Sequence, residues 1–296
     1  MPDVLSSVVG SGAQPGPAAV ITPLLDLRGV GKSFGAVRAL ADVDLSVRAG
    51  EVVALVGDNG AGKSTLVKTI AGVHEPDTGG ILVEGQSVRI SSPAAATSLG
   101  IATLYQDLAL CENLDVTANL FLGKELAKSP LFGRLRRLSD DDMQSKAVEV
   151  LAGLAVSLPA LGLPVAALSG GQRQSVAVAR AVLWGSKLVL LDEPTAALGV
   201  EQTHLVLELI ERLRQRGLGV LLISHNLADV FDVADRIVVL RLGCIAGDFD
   251  ARTTDVNTIV TAITGGHELR RRLRTPLVHQ PTSSVTDAGT DEGGRR

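Results

Sequence analysis

One stretch of this 296-residue chain reads EVVALVGDNGAGKSTLVKTIA, from Glu51 to Ala71. Residues 51–56 are a short run of apolar, largely β-branched residues behind one acid, a pattern that predicts a buried strand. Glycine dominates residues 57–62, and the pattern from Lys63 to Ala71 favours a helix. A strand, a glycine-rich loop and a helix in this order indicate an α/β fold with a parallel sheet.

The loop in this stretch matches the pattern G-x-x-x-x-G-K-[ST], which in this context binds phosphate. Glycines let the backbone curl until successive N–H groups face phosphate oxygens, and the helix N-terminus adds its positive dipole end. Lys63 is expected to reach the β- and γ-phosphates, and the Ser64 hydroxyl to bind Mg²⁺. The alternative is a glycine turn with an exposed lysine. The predicted nucleotide-binding residues here are Gly57, Asp58, Asn59, Gly60, Ala61, Gly62, Lys63, Ser64 and Thr65.

A second apolar run, from Lys187 to Leu191, ends in the acids Asp192 and Glu193. The carboxyl edge of a parallel sheet is where ligands bind in open α/β folds. We therefore expect Asp192 to hold Mg²⁺, directly or through water, and Glu193 to orient and deprotonate the attacking water. The alternative for two such acids is capping of the following helix.

Two more polar residues close apolar stretches. His225 follows the predicted strand from Leu218 to Ser224, so it is expected at the same sheet edge, within reach of a γ-phosphate. Gln106 follows residues 101–105 and could contact Mg²⁺ or the water. Each of these two residues alone has an ordinary structural explanation. A catalytic role is favoured only because the glycine loop and the acids at 192–193 are also present. The predicted Mg²⁺ ligands are thus Ser64, Gln106 and Asp192.

The pattern between these motifs is helical. Thr203–Arg216 predicts an amphipathic helix with Leu205, Leu209 and Leu213 on one face and Val206 and Ile210 beside them, and Gly217 ends this helix. The stretch from Asp107 to Val165 lacks strand patterns and predicts a helical insertion.

Composition limits the possible functions. A chain with 46% apolar residues can bury a large core, and a net charge of −4 with 2% aromatics disfavours nucleic-acid partners. No segment predicts a transmembrane helix or a secretory leader, so we expect a cytoplasmic protein that meets a membrane only through a partner. Residues 1–23 predict a flexible tail, 24–266 the folded domain and 267–296 a disordered tail.

The segment Leu168-Ser-Gly-Gly-Gln172 opens a helical pattern that continues from Arg173 to Leu183. It resembles the signature motif of ATP-binding-cassette (ABC) proteins, and the other motifs stand in that family's order over residues 24–266. The resemblance implies an α/β P-loop NTPase with three parts: a RecA-like parallel-sheet core, an antiparallel β subdomain, and an inserted α-helical signature subdomain at about 107–180.

The family resemblance also implies roles that the residues alone do not show. The signature would act on ATP bound by a second cassette in a head-to-tail dimer, through Leu168, Ser169, Gly170, Gly171 and Gln172. Phe34 matches the aromatic residue that stacks on adenine, although ordinary core packing is the alternative. Gly199 stands where the family usually has an aspartate that links the two sites, which puts strong coupling between them in doubt.

Within the family, residues 57–62, 105–110, 119–125 and 195–199 look like those of importers of monosaccharides such as ribose, xylose or fructose. This implies an Mg²⁺-dependent ATPase, working as a homodimer or paired cassette on transmembrane permease subunits at the cytoplasmic face of the membrane. An extracytoplasmic sugar-binding protein would be an indirect partner. Two alternatives remain: a soluble ABC ATPase of DNA repair or translation, and a regulatory nucleotide switch with little turnover.

Overall fold

The computed structural model describes residues 22–127, 138–196 and 198–266. Residues 1–21 and 267–296, which make up nearly all of the two predicted tails, lie outside this range. Within it, no helix combines the length and apolar character needed to cross a membrane. In chain order the elements are β1 (Leu25–Phe34), β2 (Val37–Val47), β3 (Val52–Val56), α1 (Lys63–Ile70), β4 (Thr78–Val83), β5 (Gln86–Val88), α2 (Pro93–Ser98), β6 (Ile101–Leu104), α3 (Val116–Phe121), α4 (Asp140–Gly153), a 3-10 helix (Val165–Ala167), α5 (Gly170–Leu183), β7 (Leu188–Asp192), α6 (Val200–Gln215), β8 (Gly219–Ile223), α7 (Leu227–Val233), β9 (Arg236–Arg241), β10 (Cys244–Asp250) and α8 (Val256–Thr264).

The strands form two sheets. A six-stranded sheet has the order β10-β9-β3-β8-β7-β6, and its strands β9, β3, β8, β7 and β6 are parallel. A four-stranded antiparallel sheet has the order β2-β1-β4-β5. The predicted fold class is therefore confirmed: a parallel α/β core with an antiparallel β subdomain and a set of inserted helices.

The central strands are buried on both faces. Every residue of β3 and β8 is buried, because parallel sheets carry helices on both sides. Their sequences are accordingly continuous apolar runs, and the strands predicted at 51–56, 187–191 and 218–224 agree with β3, β7 and β8 to within one residue at each end. The carboxyl ends of β3, β6, β7 and β8 meet along one edge of the sheet.

Helix α6 packs on this sheet through a face that differs in part from the predicted one. Leu209 and Leu213 are buried as expected, but Leu205 is 45% exposed and Leu207 is buried instead. The prediction for Leu205 is therefore wrong. The buried arc is centred on Val206 and Ile210, and Leu205 falls just beyond its margin.

Helices α3, α4 and α5 pack together on one side of the large sheet. The ring of Phe121 meets that of Trp184 edge to face at 5.7 Å, and the Trp184 indole donates to the Leu120 carbonyl at 3.1 Å. Between residues 107 and 165, the described part of the chain has isolated β-bridges and no named strand. The apolar side chains of these helices join those of β6, β7 and β8 in one core cluster.

Candidate active site

The glycine loop between β3 and α1 is wedged between two strands. A Cβ atom on Gly57 would lie 2.2 Å from the Leu240 carbonyl oxygen, and one on Gly62 would lie 2.6 Å from that of Ala39. Gly62 also has a φ of +109°, which side chains rarely permit. A larger residue at Gly57 or Gly62 would therefore displace the loop from β9 or β2.

The loop directs positive charge and free N–H groups to one place. Helix α1 starts at Lys63 without a side-chain cap, so its first N–H groups remain available to an anion. The Lys63 ammonium donates to the carbonyls of Gly57 at 2.7 Å and Asp58 at 3.1 Å. It therefore lies across the mouth of the loop, where a phosphate oxygen could replace these two carbonyls as acceptor.

A cavity of about 720 Å³ opens beside this loop, within the range of ligand pockets in general. The structure brings most of the predicted site residues together on its wall. From the loop it includes Asn59, Gly60, Ala61, Gly62, Lys63, Ser64 and Thr65, and from the sheet edge Gln106, Asp192, Glu193 and His225. The residues Val37, Arg38 and Leu242, which the sequence did not single out, line its mouth.

The carboxyl of Asp192, on the cavity wall, has a raised pKa. Burial raises this pKa, the nearby charge of Glu193 raises it further, and Lys63 and Lys68 oppose the shift. Ser64 and Gln106 line the same cavity. A hydroxyl, an amide and a carboxylate are oxygen ligands of the kind that Mg²⁺ takes, and a divalent cation would relieve the cost of ionising Asp192.

Asp192→Asn is expected to stabilise the ligand-free protein. The pKa of this carboxyl is higher in the folded than in the unfolded chain. At any pH above the ordinary aspartate pKa, ionisation of this group therefore lowers the free energy of unfolding. The melting midpoint should rise by about 2 °C at pH 7 and the gain should shrink to nothing near pH 3, where both states are protonated.

Scanning calorimetry from pH 3 to pH 7 measures this effect. Asp235→Asn is the matched control, because Asp235 pairs with Arg214 at 2.7 Å and its loss should lower the midpoint at pH 7. A lower midpoint for Asp192→Asn at pH 7 would show that this carboxylate is net stabilising.

Glu193 and His225 form a close pair. The Glu193 carboxylate lies 2.5 Å from His225 Nδ1, and the histidine side chain is 71% exposed against 21% for the glutamate. An ionised carboxylate can only accept, so Nδ1 must carry the proton and Nε2 is left for another partner. The pair stands at the sheet edge because Asp192 and Ile223 are register partners in β7 and β8.

The signature segment starts helix α5. The helix begins at Gly170, earlier than the helical pattern at Arg173, and Ser169 is its N-cap. Ser169 Oγ accepts from the Gln172 N–H at 3.3 Å, and the Gln172 side chain accepts from the Ser169 N–H at 2.9 Å. Leu168 is buried in the core. This capping box holds the segment in place and leaves the Ser169 O–H free to donate.

The two signature glycines lie against the start of α6. A Cβ atom on Gly170 would lie 2.7 Å from Leu198 Cδ2, and one on Gly171 would lie 3.3 Å from Gln202 Cβ. Gly199 itself is the N-cap of α6 and makes no side-chain cap bond. Among the described residues, none from 168–172 lines the cavity at the glycine loop, so the structure does not bring the signature and the loop together within one chain.

Phe34 lies outside the core. Its side chain is 45% exposed at the end of β1, and its ring stands edge-on to His74 at 5.1 Å. The cavity wall includes Val37 and Arg38 from the same hairpin but not Phe34. Core packing is therefore not its role, and stacking on adenine stays a prediction.

The buried carboxylate of Asp229, behind the site, was not predicted from the sequence. Asp229 is 7% exposed and accepts from the Thr195 hydroxyl at 2.7 Å and from the Asn226 side chain at 2.8 Å. Read along the sequence, an asparagine followed three residues later by an acid is typical of an ordinary helix start, and Asn226 is indeed the N-cap of α7. The bond to Thr195 has no local signal.

Several known proteins with similar sequences are named for the import of a sugar. The sequence profile of the ABC transporter family matches residues 40–196. The xylose/arabinose import ATP-binding protein XylG of Sulfolobus acidocaldarius is 46% identical over 244 residues, 82% of this chain and 95% of that protein. The fructose import ATP-binding protein FrcA of Rhizobium meliloti is 45% identical over 81% of this chain and 94% of its own length. The ribose import ATP-binding protein RbsA of Yersinia pestis is 41% identical, and this chain covers 46% of it.

Solved structures agree with these relatives. The ADP conformation of an ATP-binding cassette of an ABC transporter superposes with a TM-score of 0.70 at 26% identity, covering 85% of this chain and 99% of that one. A nucleotide-free cassette gives 0.66 at 28% identity, covering 77% and 91%. With its glycine loop, its acidic strand end and its signature helix in the order that the resemblance implied, the chain belongs to the ABC transporter family as one of its ATP-hydrolysing cassettes.

Proposed function

We propose that this chain is the ATP-hydrolysing subunit of a monosaccharide importer and that it drives transport through partner membrane subunits. The observation that carries ATP hydrolysis is the one cavity whose wall combines residues 59–65 of the glycine loop with Gln106, Asp192, Glu193 and His225. The substrate class rests on the relatives, whose names specify import of xylose, arabinose, fructose and ribose. Those names favour import over a soluble ATPase or a regulatory switch.

Phosphate binding would use the groups that the loop already presents. Lys63 would exchange its bonds to the Gly57 and Asp58 carbonyls for the β- and γ-phosphate oxygens of ATP. Ser64, Gln106 and Asp192 would hold Mg²⁺, and the bound ion neutralises charge on the phosphates. Phe34 would stack on the adenine from the hairpin beside the cavity mouth.

Glu193 and His225 would carry out the hydrolysis step. The Glu193 carboxylate would take a proton from a water molecule as its oxygen bonds to the γ-phosphorus, while the bond between that phosphorus and the bridging oxygen breaks and ADP leaves. His225 would orient this carboxylate through its Nδ1–H and, when Nε2 carries a proton as well, donate to the γ-phosphate through Nε2–H. Both side chains lie at the carboxyl ends of neighbouring strands, which keeps their spacing constant.

The signature would complete the site of a second copy. Helix α5 starts with free N–H groups at Gly170 and Gly171, and the Ser169 hydroxyl retains a proton to donate. Leu168 and Gln172 would hold this anion-binding turn through burial and the capping box. Two head-to-tail contacts close into a two-fold homodimer with two composite sites.

The wider assembly follows from the importer function. Permease subunits would recruit the dimer to the cytoplasmic face of the membrane as a peripheral component, and an extracytoplasmic sugar-binding protein would act on the opposite side. Sugar selection would lie in those subunits and not in this chain, since the site described here is built for a nucleotide.

Lys63→Ala tests the phosphate site. Removing the ammonium deletes charge-assisted hydrogen bonds, each with a net contribution of about 1.5–3 kcal/mol, so ATP affinity measured by calorimetry should fall at least about tenfold. The control is Lys187→Ala, an exposed lysine at the other end of β7 that pairs with Glu84 at 2.7 Å, which should bind ATP normally. Normal binding by Lys63→Ala would contradict the placement of the phosphates.

The same variant tests transport. Cells lacking this chain should lose uptake of at least one labelled sugar among xylose, arabinose, ribose and fructose. The wild-type chain and Lys187→Ala should restore that uptake, and Lys63→Ala should not. Unchanged uptake of all four sugars in the deletion would reject the sugar class without touching the ATPase assignment.

A further inference from the structure

We propose that Asp229 is a positioning residue for hydrolysis, which clamps the Thr195 hydroxyl and thereby holds Glu193 in the backbone conformation that presents its carboxylate to the reacting water. The inference rests on the proposed role of Glu193 as base. Asp229 does not line the cavity, so its effect on the rate of hydrolysis would be indirect.

Asp229 joins two loops that are separate in sequence. Thr195 belongs to the loop after β7, which carries Glu193, and Asn226 belongs to the turn after β8, which carries His225. One carboxylate oxygen of Asp229 accepts from the Thr195 hydroxyl at 2.7 Å, and the other accepts from the Asn226 side chain at 2.8 Å. A single buried group thus ties together the two loops that supply the catalytic pair.

The turn at Glu193 needs such a tie. Glu193 has a φ of +55°, a left-handed conformation that a residue with a side chain adopts only where its surroundings impose it. Its N–H donates to the Ile223 carbonyl at 2.9 Å, and its carbonyl accepts from the Ala196 N–H at 3.1 Å. These bonds hold the near side of the turn, and the Thr195–Asp229 bond anchors the far side.

The geometry indicates that loss of the Thr195–Asp229 bond should lower the rate of hydrolysis and leave the affinity for ATP unchanged. Glu193 and Ala196 line the cavity, whereas Thr195 and Asp229 are not among the residues on its wall. Affinity depends on the loop at 57–65, which the clamp does not contact through any hydrogen bond described for Thr195 or Asp229. Loosening the turn should therefore displace the carboxylate of Glu193 while the phosphates remain bound.

Thr195→Val tests the clamp, because it removes the hydroxyl and keeps the shape. Steady-state hydrolysis should show kcat lower by about 10- to 100-fold with KM for ATP unchanged, since a displacement of about 1 Å at a reacting group costs on this scale. Thr195→Ser, which retains the hydroxyl, should keep a kcat close to that of the wild type. Asp235→Asn controls for a general loss of stability and should keep kcat.

A double-mutant cycle identifies the bond itself. Asp229→Asn weakens the acceptor, so Thr195→Val should slow the Asp229→Asn chain by a smaller factor than it slows the wild type. The proposal is overturned if Thr195→Val keeps its kcat, if Thr195→Ser is as slow as Thr195→Val, or if the two effects multiply independently. Glu193→Gln in the same assay tests the base separately: if that chain is fast, the role of Glu193 as base, on which the clamp rests, fails whatever the clamp variants do.

Discussion

Glu193→Gln should slow ATP hydrolysis by about 10² or more while ATP stays bound, since general-base assistance contributes on that scale. The amide keeps the size of the side chain and its contact with His225 Nδ1, which now lies at 2.5 Å from the carboxylate. It cannot take a proton from water. The phosphate loop, Lys63 and Asp192 are untouched, so binding and chemistry should separate in this variant.

Single-turnover hydrolysis with excess protein measures the chemical step, and calorimetry measures ATP affinity. The stalled chain should also accumulate as an ATP-bound dimer, visible by size-exclusion chromatography coupled to light scattering. Glu201→Gln is the matched control, because Glu201 is an exposed residue in the first turn of α6. Hydrolysis by Glu193→Gln at nearly the wild-type rate would rule out Glu193 as the base.

The second large effect concerns the signature. A Ser169→Arg chain should be nearly inactive, because the added side chain would fill the space that the γ-phosphate of the partner needs. A Lys63→Ala chain should be nearly inactive as well. In a mixed dimer one composite site carries both defects and the other carries neither, so mixing should restore up to about a quarter of wild-type activity if pairing is random and the two sites work independently.

Tight coupling between the sites predicts a different result, in which the mixed dimer forms but stays inactive. Gly199 lacks the acid that usually links the sites, which favours independence. Gly170 and Gly171 lie close to Leu198 and Gln202, so a movement at the start of α6 could reach the signature within one chain. The restored fraction therefore measures how strongly the two sites of the dimer are coupled.

A control is needed because Ser169→Arg also removes a helix cap, at a cost of about 1 kcal/mol. Ser92→Arg removes a comparable cap from α2, where the Ser92 side chain accepts from the Ala95 N–H at 3.2 Å, and should leave hydrolysis intact. Wild-type hydrolysis by Ser169→Arg on its own would mean that the signature does not act across the dimer.

Local sequence determined the elements and most of the site. The strands β3, β7 and β8 could be located to within one residue because a strand buried on both faces is a continuous apolar run, ended by the polar residues of the sheet edge. Parallel strands end at a common edge, so the sequence predicts Gln106, Asp192, Glu193 and His225 near the glycine loop, and they line one cavity with it.

Tertiary structure decided the features that depend on neighbours distant in the chain. Leu205 was misplaced because the helical period defines a stripe but not its margin, which depends on what α6 packs against. The left-handed turn at Glu193 and the bond from Thr195 to Asp229, 34 residues apart, exist because β7 and β8 are adjacent in the sheet. No local pattern encodes that adjacency: it results from the packing that orders the strands, and it brings Thr195 and Asp229 together close to Glu193 and His225.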